Sequence, residues 1–292
     1  MPLDRPGLVL AESRAEPHPR RNRRRGRIAL LLVLALVAGG AWFASRVLYH
    51  AVLTPQCTIT AAGMTESFDP EQTGNAALIS AVSMQRGLSP RAATIALTTA
   101  YQESKIRNIR FGDRDSLGLF QQRPSQGWGT KEQILDPIYS TNKFYDALVK
   151  FKGYERADIT EIAQKVQRSG YPEAYRDHEG QGRVLASALT GHSPAGLTCR
   201  LDDPTKVAEP SLVATDLAEQ MGIKGAKAGN GVVTVTAPDV RRAWAAGHWA
   251  VARAEQYGIT KVEVGERAWE RGNGDEGWSE GTASTAVTIT LG

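Results

Sequence analysis

Apolar residues are spread along this chain in three different ways. Ile28 to Ser45 is an uncharged run of eighteen residues bracketed by Arg27 and Arg46. From about Asn75 to Thr190 apolar positions recur at helical spacing, and after Lys206 short alternating runs replace them. At about 1.5 Å per residue the first run nearly crosses a hydrocarbon core of about 30 Å, and Val47, Leu48 and Tyr49 extend it. A transmembrane helix over 28–49 is expected. Arg20, Arg21, Arg23, Arg24, Arg25 and Arg27 place its amino end in the cytoplasm by the positive-inside rule. The expected location is the cell membrane, single-pass, with the bulk of the chain outside. The alternative is secretion after signal cleavage, because Ala38-Gly39-Gly40 is an acceptable cleavage site before Ala41. Either reading exports everything after about residue 50.

Residues 50–74 read as a connector. The period then predicts a helical domain over 75–203. Ala77, Leu78, Ala81, Val82 and Met84 form a first apolar face ending at Gly87, and Ser89-Pro90 opens a second, alanine-rich helix that runs to about Ser104. Thr130 caps a short helix, Ile138 to about Phe151 forms the next, Asp158 or Thr160 caps another that ends at Gly170, and a last runs from Pro172 to about Thr190. No strand is expected between 75 and 200. Beyond Lys206 come a helix capped by Ser211, a strand over 232–237, a helix from Pro238-Asp239 to about Tyr257, and two strands over 261–269 and 285–291 around a Gly-rich turn. The expected fold class is mainly α, with a small α+β domain over 206–292.

Charge removes one class of partner. Residues 1–27 hold eight arginines against Asp4, Glu12 and Glu16, an excess of +5; the whole chain is +4, so residues 28–292 sum to −1. The basicity belongs to the cytoplasmic tail, and no nucleic-acid partner is expected. Cys57 and Cys199 lie 142 positions apart with no Cys-x-x-Cys and no neighbouring histidine pair, so neither a metal nor a cofactor is expected. In an exported chain they form either one disulfide or two unrelated buried thiols.

Candidate chemistry concentrates between Tyr101 and Trp128. On the second helix Ala96, Thr99, Ala100 and Glu103 share one face, so the carboxylate continues an apolar stripe. It also lies in the last turn, where the helix dipole disfavours ionisation. Both effects raise its pKa toward that of a general acid. The plainer alternative is a surface glutamate paired with Lys105 or Arg107. Asp113 and Asp115 offer a possible second carboxylate that would activate water for an inverting hydrolysis, or else form a charged turn held by Arg110 or Arg114. Gln121, Gln122 and Trp128 can line a cleft, with Trp128 alternatively a core residue. The histidines are scattered and suggest no Ser-His-Asp order.

Glu103-Ser104 followed by Ser116-Leu117-Gly118-Leu119-Phe120-Gln121 resembles the signature of lytic transglycosylases and goose-type lysozymes, a Glu-Ser at a helix end followed by a loop and a Gly-Leu-Met-Gln turn. Ile134-Leu135-Asp136-Pro137 with Asn142 and Tyr145-Asp146-Ala147-Leu148 resembles that group's next helix. The resemblance covers about residues 75–195, and the wording through Gln122-Arg123-Pro124-Ser125-Gln126-Gly127-Trp128 also resembles a group of actinobacterial exported proteins. It implies a lysozyme-like domain over 75–203, Glu103 as single general acid, a glycan-strand lytic activity (transglycosylase or muramidase), peptidoglycan as substrate, and Ser104 and Tyr145 among the substrate-binding residues. The chain departs where the group has Gly-Ala before the turn (Asp115-Ser116 here) and where it has Ala-Tyr-Asn-Ala-Gly, against Val166-Gln167-Arg168-Ser169-Gly170. That tyrosine positions the acid in the group; Gln167 is the expected substitute. The alternative function is a non-catalytic wall-binding or assembly protein that keeps the cleft, with a protein partner for the C-terminal domain.

Overall fold

The computed structural model describes residues 23–167 and 172–292. The expected basic tail up to Asn22 and the stretch Arg168-Ser169-Gly170 lie outside the described residues. The chain divides at Pro55 into two units. The first is the helix α1 (Arg23–Leu53), whose segment Arg27–Arg46 is long and apolar enough to cross a membrane. An N-terminal helix of this kind also fits a signal sequence.

The second unit is mainly helical. Its helices are α2 (Pro70–Gln85), α3 (Pro90–Ser104), α4 (Lys131–Ile134), α5 (Pro137–Leu148), α6 (Ile159–Gln167), α7 (Glu179–Leu189), α8 (Pro210–Met221), α9 (Val240–Ala252) and α10 (Ala254–Tyr257). Most starts are set by local chemistry. Proline occupies the first turn of α2, α3, α5 and α8, where its missing N–H costs nothing. Asp69 and Thr130 close capping boxes with Gln72 and Gln133, and Asp239 caps α9. The single helix expected from Pro172 to Thr190 is two elements, because Pro172–His178 winds as a 3-10 turn before α7 begins.

Strands occur where none was expected. β1 (Gln56–Ala61) and β2 (Met64–Phe68) lie in the segment read as a connector, whose last residues from Pro70 already belong to α2, and β3 (Leu197–Arg200) pairs antiparallel with β1 to give the order β2-β1-β3. Cys57 stands opposite Cys199 in that ladder and the two form a disulfide. The second sheet holds β4 (Lys227–Gly229), β5 (Val232–Thr236), β6 (Ile259–Val264), β7 (Arg267–Glu270) and β8 (Ala286–Leu291) in the antiparallel order β4-β5-β8-β6-β7. Residues 261–269, expected as one strand, turn back on themselves at Gly265-Glu266 to give β6 and β7.

The change of texture near Lys206 does not divide two cores. Helix α2 packs against α5 and α3 on the helical side and against α8 and α9 on the other. The contact is polar as well as apolar. Trp278 donates its indole N–H to the Leu197 carbonyl at 2.8 Å, and His248 is paired through Nδ1 with the Ala188 carbonyl at 2.8 Å. Burial drives His248 down to about 4, so it is neutral at physiological pH. Gly191, at φ +79°, lets the α7 exit touch α9: a Cβ there would stand 1.9 Å from the Arg241 carbonyl oxygen.

The Cys57–Cys199 bridge closes a loop of 142 positions between buried residues. Reduction, or replacement of both cysteines by alanine, is expected to lower unfolding free energy by about 2–4 kcal/mol. Urea unfolding followed by tryptophan fluorescence, with and without reductant, checks this; an unchanged midpoint refutes it.

Candidate active site

The carboxylate at the end of α3 is built from three directions. The helix itself is alanine-rich because neighbours crowd it: Ala92, Ala93, Ile95, Ala96, Leu97, Thr98, Thr99 and Ala100 are all buried. Helix α7 comes so close that a Cβ on Gly182 would lie 2.1 Å from the Thr98 hydroxyl. Glu103 continues this packed face and is half-buried.

The helix then stops abruptly. Lys105 and Ile106 both take left-handed backbone, at φ +56° and +58°, a conformation that a β-branched residue rarely adopts. Their N–H groups close back onto Tyr101 and Ala100 carbonyls at 2.9 and 3.0 Å, satisfying the last turn in the manner of a Schellman cap. Side chains of α2 hold the freed carbonyls: Gln72 donates to Lys105 O at 3.0 Å and Asn75 to Ile106 O at 2.9 Å. Arg107 is clamped by Asp69 and Glu71. Neither Lys105 nor Arg107 pairs with Glu103: Lys105 lies against the Tyr101 ring and His178 instead. The surface-pair reading of Glu103 therefore falls.

The turn Leu117 to Gln122 forms the second wall. Leu117 and Gln122 exchange backbone hydrogen bonds at 3.0 Å, and Gly118 sits at φ +73° where a Cβ would meet the Ile134 carbonyl oxygen at 2.8 Å. Ser104 donates to the Leu119 carbonyl at 2.7 Å, and Gln167 from α6 donates to the Phe120 carbonyl at 2.6 Å. The Phe120 ring stacks on Phe144 of α5. The serine of the Glu-Ser pair thus ties the helix end to the turn.

The third direction was not foreseen. Tyr175, buried in the 3-10 turn after the undescribed residues, donates its hydroxyl to Glu103 Oε1 at 2.6 Å. Gln167 also hydrogen-bonds the carboxylate. Burial raises the Glu103 carboxyl above its ordinary value of 4.5, and the bonds from Tyr175 and Gln167 pull it partly back. The outcome is a carboxyl fixed in direction, with its proton held more tightly than in water.

Other expected site residues distribute unevenly. Asp115 accepts from Arg123 at 2.7 Å and from the Ser125 N–H and hydroxyl at 2.8 and 3.0 Å, which hold it well below the usual carboxylate range. It is a loop clasp and not a base; the partner is Arg123, not Arg110 or Arg114. Asp113 is 88% exposed and stands 3.8 Å from Arg114. Gln122 is buried and donates to the Ser140 carbonyl at 3.0 Å, and Gln121 donates within its own loop, so neither is presented to a ligand as expected. Tyr145 is a core residue whose hydroxyl donates to Ile79 O at 2.9 Å. Ser104 is likewise occupied. Trp128 and Gln167 do line one groove, of about 540 Å³, between α5 and α6.

Compared with known families and with characterised proteins, the sequence matches no family model and no characterised protein. The case for function therefore rests on these side chains.

A raised carboxyl destabilises the folded chain once ionised. The unfolded chain releases this proton near pH 4.5 and the folded one at higher pH, so stability falls as pH rises through that interval. Glu103→Gln is expected to be more stable than wild type at pH 7 by roughly 0.5–2 kcal/mol, with the advantage vanishing below about pH 4. Tyr175→Phe should widen the interval by moving the folded titration further up. Urea unfolding from pH 3 to 8 reads both effects; a pH-independent difference between Glu103→Gln and wild type refutes the assignment.

Proposed function

We propose that this chain is an exported, membrane-tethered lytic enzyme of peptidoglycan glycan strands, with a lysozyme-like helical region and Glu103 as its general acid. The observation that carries the reading is the half-buried Glu103 carboxyl, raised by burial and oriented by the Tyr175 hydroxyl. The missing Ala-Tyr-Asn motif weighed against catalysis; Tyr175, reached through a different turn, supplies the tyrosine-to-acid hydrogen bond whose loss that motif implied.

The chemistry follows from one carboxyl. Protonated Glu103 gives its proton to the glycosidic oxygen, the C1–O bond breaks through an oxocarbenium-like state, and the departing sugar leaves as an alcohol. With Asp115 committed to Arg123 and Ser125, the nucleophile is the substrate's own 6-hydroxyl. It adds to C1 and returns its proton to the Glu103 carboxylate, leaving an anhydro-sugar end and a restored acid. Transglycosylation is thus favoured over the hydrolysis that a second carboxylate would permit. Helix α1 holds this unit at the outer face of the membrane, its basic flank inside.

Glu103→Gln is expected to lower release of soluble fragments from purified sacculi by about 10²–10⁴-fold. Mass spectrometry of the wild-type digest should find anhydro ends. Unchanged release by the variant refutes Glu103 as the acid, reducing ends refute the intramolecular route, and binding without release by the wild type replaces the reading with wall binding. Fractionation of expressing cells tests the tether separately: the full-length chain is expected in membranes, and a shortened product in the medium refutes the anchor.

A further inference from the structure

A cavity of about 300 Å³ lies where α2 ends, α3 begins, α7 ends and α9 begins. It is remote from the candidate acid: Pro90, on its wall, precedes Glu103 by thirteen residues of α3, about 20 Å along the axis at 1.5 Å per residue. Two helix starts and two helix ends meet there, so the backbone dipoles oppose one another and the side chains set the sign. Those side chains are basic. Arg241, Arg242 and His192 line the cavity, and among the described residues no aspartate or glutamate does. Arg241 is fixed in direction, because its Nη1 donates to the Thr190 carbonyl at 2.9 Å. Arg242 is half-buried, and its guanidinium has no hydrogen bond or ion pair among the described residues; Asp239, three residues before it, is spent on capping α9 and accepts the Arg242 backbone N–H at 2.7 Å. Burial and the Arg241 guanidinium hold His192 below its ordinary value of 6.5, so the ring is neutral at pH 7 and offers one N–H.

Two partly desolvated guanidinium groups with no counter-charge call for an anion, and their number says which kind. One planar fork already uses both oxygens of a carboxylate, whereas a phosphate ester has oxygens left for a second fork and for an imidazole N–H. Met84, Leu88 and Pro90 complete the lining with apolar surface, which suits the carbon part of an ester and does nothing for a free ion. We propose that this pocket binds the phosphate group of an organic phosphate ester, gripped by Arg241 and Arg242 and hydrogen-bonded by His192. The same group occurs in soluble esters and in phospholipid headgroups, and the pocket chemistry serves either source.

Equilibrium dialysis of the full-length chain, solubilised in neutral detergent at pH 7, against labelled glycerol phosphate tests this. Saturable binding at one site is expected. Arg242→Gln, which removes a side chain with no structural partner, should weaken it by about tenfold or more, the size of a lost charge-assisted contact. Arg110→Gln, which removes the same charge from an exposed loop position, should bind as wild type does, and so should Glu103→Gln. Absence of saturable binding, or equal binding by Arg242→Gln and wild type, overturns the proposal. Acetate that displaces the label as readily as unlabelled glycerol phosphate overturns the choice of phosphate, and inorganic phosphate that does so overturns the ester. Micelles doped with phosphatidylglycerol separate the two sources: displacement at lower concentration than glycerol phosphate assigns the site to a lipid headgroup, and weaker displacement assigns it to a soluble ester.

Discussion

The end of α3 is the constraint on which the candidate site depends. A helix that stopped at glycine would reverse direction without strain; this one reverses through Lys105 and Ile106, two non-glycine residues in left-handed backbone. Such conformations cost of order 1–3 kcal/mol each and persist only where their surroundings over-determine them. Here the surroundings are the hydrogen bonds from Gln72 and Asn75 to the two strained carbonyls and the clamp of Asp69 and Glu71 on Arg107. The consequence is positional. With the backbone fixed on both sides of Ser104, the Glu103 carboxyl has little freedom to swing toward water, and Tyr175 meets it in one place.

Burial and orientation act on that carboxyl in opposite senses, and the balance defines what it can do. Desolvation favours the protonated form; the hydroxyl of Tyr175 and the amide of Gln167 favour the charged one. A carboxyl wholly buried would keep its proton and never deliver it, and one wholly solvated would have no proton at neutral pH. The half-buried position holds Glu103 between those extremes, with its carboxyl raised above the ordinary value. Asp115 shows the contrast within the same loop: three strong donors and little burial keep it ionised and fully used in holding Arg123 and Ser125.

Helical spacing is enough to read α3, α5 and α6 close to their starts and to put Glu103 on a buried face, but it opens α2 at about Asn75, five residues late, because the Asp69 cap and Pro70 precede the first periodic apolar residue. What stayed hidden is what period cannot carry. β1 and β3 do alternate, Gln56-Cys57-Thr58-Ile59-Thr60-Ala61 and Leu197-Thr198-Cys199-Arg200, but they are short and pair across the whole helical region, so nothing local to either one points to its partner. Tyr175 sits in a 3-10 turn without a face, after a proline, where the only signal is a large aromatic in a polar stretch. Gln122, Ser104 and Tyr145 were misassigned for a shared reason. Gln122 is placed by its position in the loop and Ser104 and Tyr145 by resemblance, and each spends its polar tip on a backbone carbonyl, of Ser140, Leu119 and Ile79 respectively. Polar residues beside an active site are often the ones that satisfy its scaffold.

The C-terminal segment belongs in the same chain of cause. Helix α2 presents Gln72 and Asn75 to the strained α3 end, yet it is itself buried on the far side by α8 and α9. Gln85 near its end donates to the Glu219 carbonyl at 2.7 Å, and behind it Trp249 and Arg253 of the α9 region both donate to Gln220 of α8. A residue such as Gln220, buried and accepting two donors, therefore holds the platform from which α2 works. Loss of that acceptor would leave the Trp249 indole N–H and Arg253 Nη2 unpartnered in a buried interface, while Arg253 Nη1 keeps Gln256, a cost of about 1–3 kcal/mol. The α+β segment is in this sense part of the site's support, whatever else it binds.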